Sequence, residues 1–172
     1  MRLLTQTAIV LHVFAAIALV GSLTFNTLIL MPALKRIPPA HSAVISEKIG
    51  SALMWVGLGS LIVLGLTGFT ILWTYGMLGR LLTLDWWMSA YGWRMGLMIT
   101  GWFALLCTGT LSAVWYRTVL TKKLPYTAGL RQLEERRAAQ QRVSDWQDRL
   151  AYFNLSLGVL AVLGGALLRA LR

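Results

Sequence analysis

Charge is scarce in this chain, and negative charge scarcest: six Asp and Glu stand against sixteen Lys and Arg among 172 residues. The charged fraction is 13%, about half of what soluble domains carry. None of the acids falls well inside an apolar run; Glu47 and Asp85 sit at run edges. That excludes a carboxylate proton relay across those runs. Cysteine occurs once, as Cys107 in mid-run, so an intrachain disulfide is impossible and the redox compartment cannot be read from it. No glycine-rich phosphate loop, nucleophile elbow or Cys-x-x-Cys is present, which removes the common signatures of soluble enzymes. Internal repeats and low-complexity tracts are absent as well.

Apolar sequence is what the chain has in abundance, 57% of it. It gathers into four long runs at residues 5–30, 52–77, 94–117 and 150–168. Each is close to the twenty or so residues that a helix needs to cross about 30 Å of hydrocarbon. Barrel strands are ruled out, because the runs are too long and do not alternate. The expected fold is an all-α integral membrane protein, a four-helix bundle forming one domain over 1–172. At this length no separate soluble domain remains. Arg2 precedes the first run as in a signal peptide, but the run is too long for an ordinary signal core and no small-x-small cleavage site follows. It is read as a retained span.

Basic residues divide unevenly between the connections. Lys35, Arg36 and Lys48 lie in the first; Arg117, Lys122, Lys123, Arg131, Arg136, Arg137, Arg142 and Arg149 lie in or beside the third. The other side holds Arg2, Arg80, Arg94, Arg169 and Arg172. The excess of positive charge predicts cytoplasmic first and third connections, with both termini outside. A net charge of +10 distributed this way suits anionic headgroups rather than nucleic acid, which is not an expected partner. The second connection, 78–93, carries Trp86, Trp87, Tyr91 and Trp93. Such rings settle at headgroup level, or offer a docking surface to a membrane-protein partner or a flat cofactor. In the basic third connection, about 127–149, the stretch from Leu130 to Leu150 lacks Gly and Pro and is rich in helix formers. It predicts a helix running directly into the fourth span.

At helical spacing all four runs present small and polar side chains: His12, Ala15, Leu19, Ser22 and Asn26; Gly57, Ser60, Leu64 and Thr67; Arg94, Met98, Gly101, Leu105, Thr108 and Ser112; Asn154, Gly158, Ala161 and Gly165. Close helix packing accounts for such stripes without further function. His12 is different, because an ionisable side chain within a span is a functional hypothesis and imidazole ligates haem iron and copper. It either hydrogen-bonds a neighbouring helix or binds a metal. The only other histidine, His41, is expected at the opposite side. Met95 and Met98 share the outer half with His12, and imidazole with thioether suits Cu(I) or an iron with mixed axial ligands. Arg94 either snorkels to headgroups or pairs with an anionic group such as a haem propionate.

These residues resemble a known family. The segment LHVFAAIALVGSLTFNTLILMPAL is similar to the first helix of CopD-type copper-resistance membrane domains, which open on Leu-His and close on a Pro-Ala-Leu like Pro32-Ala33-Leu34. SEKIGSALMWVGLGSLIVLGLTG resembles their second helix, ending on Thr67-Gly68, and AYGWRMGLMITGWFALL resembles their third. The likeness covers about the first 115 residues. The layout is also similar to the J-type membrane protoporphyrinogen oxidase, a haem-b protein whose first-helix histidine falls on His12. Both relatives place a lysine in the third helix; by register this chain has Arg94 or Met98 there, which argues against the oxidase activity. The resemblance implies a bacterial inner-membrane protein that binds or passes copper or haem b near its outer face. His12, Arg94 and Met98 would be cofactor contacts, with His12, Met95 and Met98 as metal ligands. A structural subunit of a larger respiratory or photosynthetic complex, without its own cofactor, is the alternative. An oxidase-like enzyme comes third.

Overall fold

The computed structural model describes residues 2–115 and 130–169, and no strand occurs among them. Helix α1, Arg2–Thr24, passes through a π-helical stretch, Phe25–Leu30, into the short α2, Met31–Leu34. Pro32 explains the widened turn. Proline has no N–H and its ring would strike the carbonyl four residues back, so the chain upstream shifts to five-residue bonds such as Met31 N–H to the Asn26 carbonyl. Pro38 and Pro39 then open α3, Pro39–Thr74, since proline at a first helical position forgoes only a hydrogen bond that would be missing anyway.

The end of α3 is equally local in origin. Gly76 takes φ +66°, Met77 N–H reaches back to the Leu72 carbonyl and Gly76 N–H to the Trp73 carbonyl. This is the paired-bond stop that favours glycine at the left-handed position. A 3₁₀ turn, Leu78–Leu82, and the short α4, Leu84–Met88, lead into α5, Ala90–Trp115. Helix α6 runs unbroken over Leu130–Arg169, so the helix expected from Leu130 does continue into the fourth apolar run.

Four helices are long and apolar enough to cross a membrane: Arg2–Leu34, Val44–Thr74, Ala90–Val114 and Asp145–Leu167. All four begin before the apolar runs at 5, 52, 94 and 150, because the flanking residues, charged ones such as Arg2, Lys48 and Arg149 included, are helical as well. The α1–α2 rod packs on α3, α3 on α5, α5 on α6 and α6 back on α1, closing an up-down-up-down ring. Leu19, Leu61 and Leu105 meet at its centre, with Leu23, Leu64, Trp102, Leu106 and Leu157 around them. Phe14, Trp55, Leu66, Phe69, Phe103 and Leu163 point outward, a surface composition that matches acyl chains better than water.

Every interface of the ring is crossed by at least one polar contact. His12 bonds Thr67 between α1 and α3, and Trp102 Nε1–H donates to the Leu61 carbonyl between α5 and α3. Thr108 and Asn154 join α5 to α6 at 2.7 Å, and Thr27 reaches the Ala151 carbonyl between the first rod and α6. Away from water such bonds hold helices in register where hydrophobicity alone would not. At the far end of the bundle from His12, Lys35 Nζ pairs with Asp148 Oδ2 at 2.6 Å. Arg117, Lys122 and Lys123 of the third connection lie outside the described residues, as do Arg172 and the side chains of Arg131, Glu134, Glu135, Arg136, Arg137, Arg142 and Arg169.

Candidate functional site

His12 sits about three turns into α1, with Ala8 a turn before and Ala15 a turn after, both buried. These small neighbours let α3 come close, and the half-buried imidazole faces α3 rather than the outside. A Cβ on Gly68 would touch its Cε1 at 3.5 Å, so glycine gives the ring a flat wall.

The hydrogen bond beside it determines where the ring proton lies. His12 Nδ1 is 2.8 Å from Thr67 Oγ1. The same hydroxyl donates to the Val63 carbonyl at 2.6 Å, with the Leu64 carbonyl at 3.3 Å. Carbonyl oxygens only accept, and a hydroxyl has one proton to give. With the threonine proton given to Val63, the oxygen accepts from the ring, and this arrangement puts the histidine proton on Nδ1. Nε2 keeps its lone pair. Metal-bound histidines show the same division, with one nitrogen held by a hydrogen bond and the other left to ligate.

The two methionines part company. Met98 points its sulfur at α6, where a Cβ on Gly165 would meet it at 3.7 Å. Met95 is only 5% exposed and lies two helical turns before Trp102, on the face that meets α3. Thr67 is six residues beyond Leu61, about 9 Å along the axis. The same distance back from Trp102 on the antiparallel α5 arrives near Gly96, and seven residues back from the packed Leu19 and Leu105 are His12 and Met98, so both methionines lie within about a turn of His12 in depth.

Arg94 is held at the end of α6. Its Nη1–H donates to the Leu167 carbonyl at 3.0 Å, in the last described turn of that helix. The guanidinium carbon lies 5.7 Å from the Trp93 ring centre, and Nε is buried with no acceptor. His41, exposed at the start of α3, is at the other end of the bundle from His12. Cys107 faces outward on α5.

No family model, curated protein or solved structure matches this chain.

The donor set limits what could bind. Among the described residues no three His, Cys, Asp or Glu side chains cluster. A metal at this depth would depend on one imidazole and a thioether, or on a macrocycle supplying four nitrogens of its own. Either fits a free His12 Nε2, and Arg94 Nε is a donor that a carboxylate would satisfy. Sequence reasoning placed Thr67 in a packing stripe and missed it as the partner of His12. A threonine seven residues after Ser60 and next to a glycine was the available signal, but only the pairing of α1 with α3 gives it meaning.

Proposed function

We propose that this chain is a four-helix protein of a bacterial inner membrane that holds one soft metal centre, copper or haem b, in the outer half of its bundle. The carrying observation is the Thr67 hydrogen bond, which leaves His12 Nε2 as an unprotonated donor inside the helix layer. His12 would be the first ligand. Met95, buried on the face of α5 that meets α3, is better turned for a second than Met98, whose sulfur lies on α6, and Arg94 would neutralise an anionic group such as a propionate. A bound haem would supply one-electron chemistry, and copper would be cargo to be passed on. The residues of this chain hold the group, keep water away and set the tautomer. The positive-inside pattern supports placing both termini outside.

An optical spectrum and elemental analysis of the purified protein test this. A Soret band or stoichiometric copper is expected, and His12→Ala should abolish it. Protein prepared from haem- and copper-replete cells that contains neither would overturn the reading.

A second reading is favoured by one observation. The His12 ring is already bonded across the helices, and Met98 already packs on Gly165, so this layer also works as packing alone. That suits an accessory subunit of a larger respiratory or photosynthetic complex. Co-purification of large partners without any metal would distinguish it. The porphyrinogen oxidase reading has least support, since Arg94 and Met98 occupy the register where its relatives carry lysine.

A further inference from the structure

The aromatic rings of the second connection are not its most exposed part. Trp86 and Trp87 stack edge to face with centres 4.9 Å apart, and Trp86 lies 6.0 Å from Tyr91. Trp87 Nε1–H donates to the Leu81 carbonyl at 2.9 Å, and a Cβ on Gly96 of α5 would meet the Trp87 ring at 3.2 Å. Both tryptophans are half-buried. Aliphatic side chains stand out instead: Leu82 is 90% exposed, Leu84 80% and Met88 83%.

Helix geometry says which way they point. Trp87 is folded down along α5, toward the bundle. At about 100° per residue, Leu84 lies roughly 60° around α4 from Trp87, and Met88 roughly 100° to the same side. Asp85 lies roughly 160° away, opposite the bundle. The short helix thus carries its one charge on the side away from the bundle and its aliphatic pair to the flank. Trp73 at the end of α3 and Trp93 at the start of α5, both exposed, continue that flank onto the outward surface of the apolar helices.

We infer that the Leu78–Met88 connection is an interfacial element, with Leu82, Leu84 and Met88 embedded in the lipid leaflet at that end of the bundle and Asp85 in water. Continuity with the apolar outer surface identifies the occupant as lipid: the patch borders acyl-facing aromatics on both sides. A helix lying in the interface plane with its apolar flank at the headgroup–acyl boundary is a stable arrangement for such a pattern. The element pins the adjoining ends of α3 and α5 at one depth, and with them the His12 layer two to three turns below. This inference needs the bundle in a membrane but not the metal site, so the two fail separately.

The test uses the full chain in lipid nanodiscs, with Cys107→Ser as background and single cysteines at Leu84→Cys, Met88→Cys or Asp85→Cys. Each carries an environment-sensitive fluorophore. Labels at 84 and 88 should emit at shorter wavelength than the label at 85, and be quenched at least twofold more by lipids spin-labelled near the headgroup. The label at 85 should respond mainly to aqueous iodide. Labels at 84 and 88 that emit and quench like the one at 85 would overturn the inference. A circular dichroism spectrum and gel-filtration profile unchanged from the background protein exclude misfolding as the source of either result.

Discussion

At the scale of single residues, the informative atom is the Thr67 oxygen. With its own proton on Val63 at 2.6 Å, it accepts from His12. Thr67→Val should release the imidazole to the Nε2–H form that free histidine prefers, while Thr67→Ser should retain the Nδ1–H form. Nitrogen-15 NMR of histidine-labelled protein reads this directly, and with only His12 and His41 present assignment is simple. An unchanged His12 tautomer in the valine variant would remove the ground for treating Nε2 as a prepared ligand. Gly65 offers a second residue-scale expectation. A Cβ there would lie 2.8 Å from the Trp102 ring, which real side chains do not tolerate. Gly65→Ala should cost about 1–3 kcal/mol through overpacking, measured by thermal or denaturant unfolding in detergent. Trp102→Phe loses both the bond to Leu61 and the part of the ring that packs on Gly65, so it should cost more than the roughly 0.6–1.7 kcal/mol of such a bond alone. Because the two changes act on one contact, the double variant should lose less than their sum.

At the scale of elements, closely apposed backbones limit substitution more than side chains do. A Cβ on Gly92 would collide with the Trp86 carbonyl and come within 2.9 Å of the Trp87 Cα. Nothing flexible is there to yield. Gly92→Ala should therefore lift α4 from α5, most visibly as a rise in the accessibility of the 84 and 88 labels to iodide, with the rest of the bundle intact. The π-helical stretch before Pro32 is another element-scale effect. Pro32 was visible as part of a Pro-Ala-Leu segment, yet its consequence, a shifted face that buries Thr27 completely, appears only once a neighbouring helix is present to receive that residue.

At the scale of the whole molecule, hydrogen bonds between helices and the Lys35–Asp148 ion pair at the end away from His12 hold the ring. Asp148 holds the Lys35 ammonium above its ordinary value, by hydrogen bond and by charge. A raised lysine stabilises the folded form fully below its ordinary value of 10.5 and loses that contribution as pH climbs through the higher folded value. A double-mutant cycle on Lys35→Met and Asp148→Asn should accordingly show coupling at pH 8 that disappears toward the alkaline limit. The coupling should be small and sensitive to salt, since the lysine is largely exposed. Coupling that grows with pH would contradict the pairing.

Sequence alone determined the number of apolar helices and the long continuous α6, and it grouped His12 with Arg94, Met95 and Met98 toward one end of the bundle. Those features follow from run length, composition and helical period, which are properties of neighbours along the chain. Tertiary structure decided the rest: that Thr67 is the hydrogen-bond partner of His12, that Met95 is buried on the α3 side while Met98 turns to α6, that Arg94 reaches the last described turn of α6, and that leucines and a methionine stand exposed at the second connection while Trp86 and Trp87 are half-buried. Each of these depends on helix pairing and relative depth, and apolar helices of similar composition leave both undetermined until they pack.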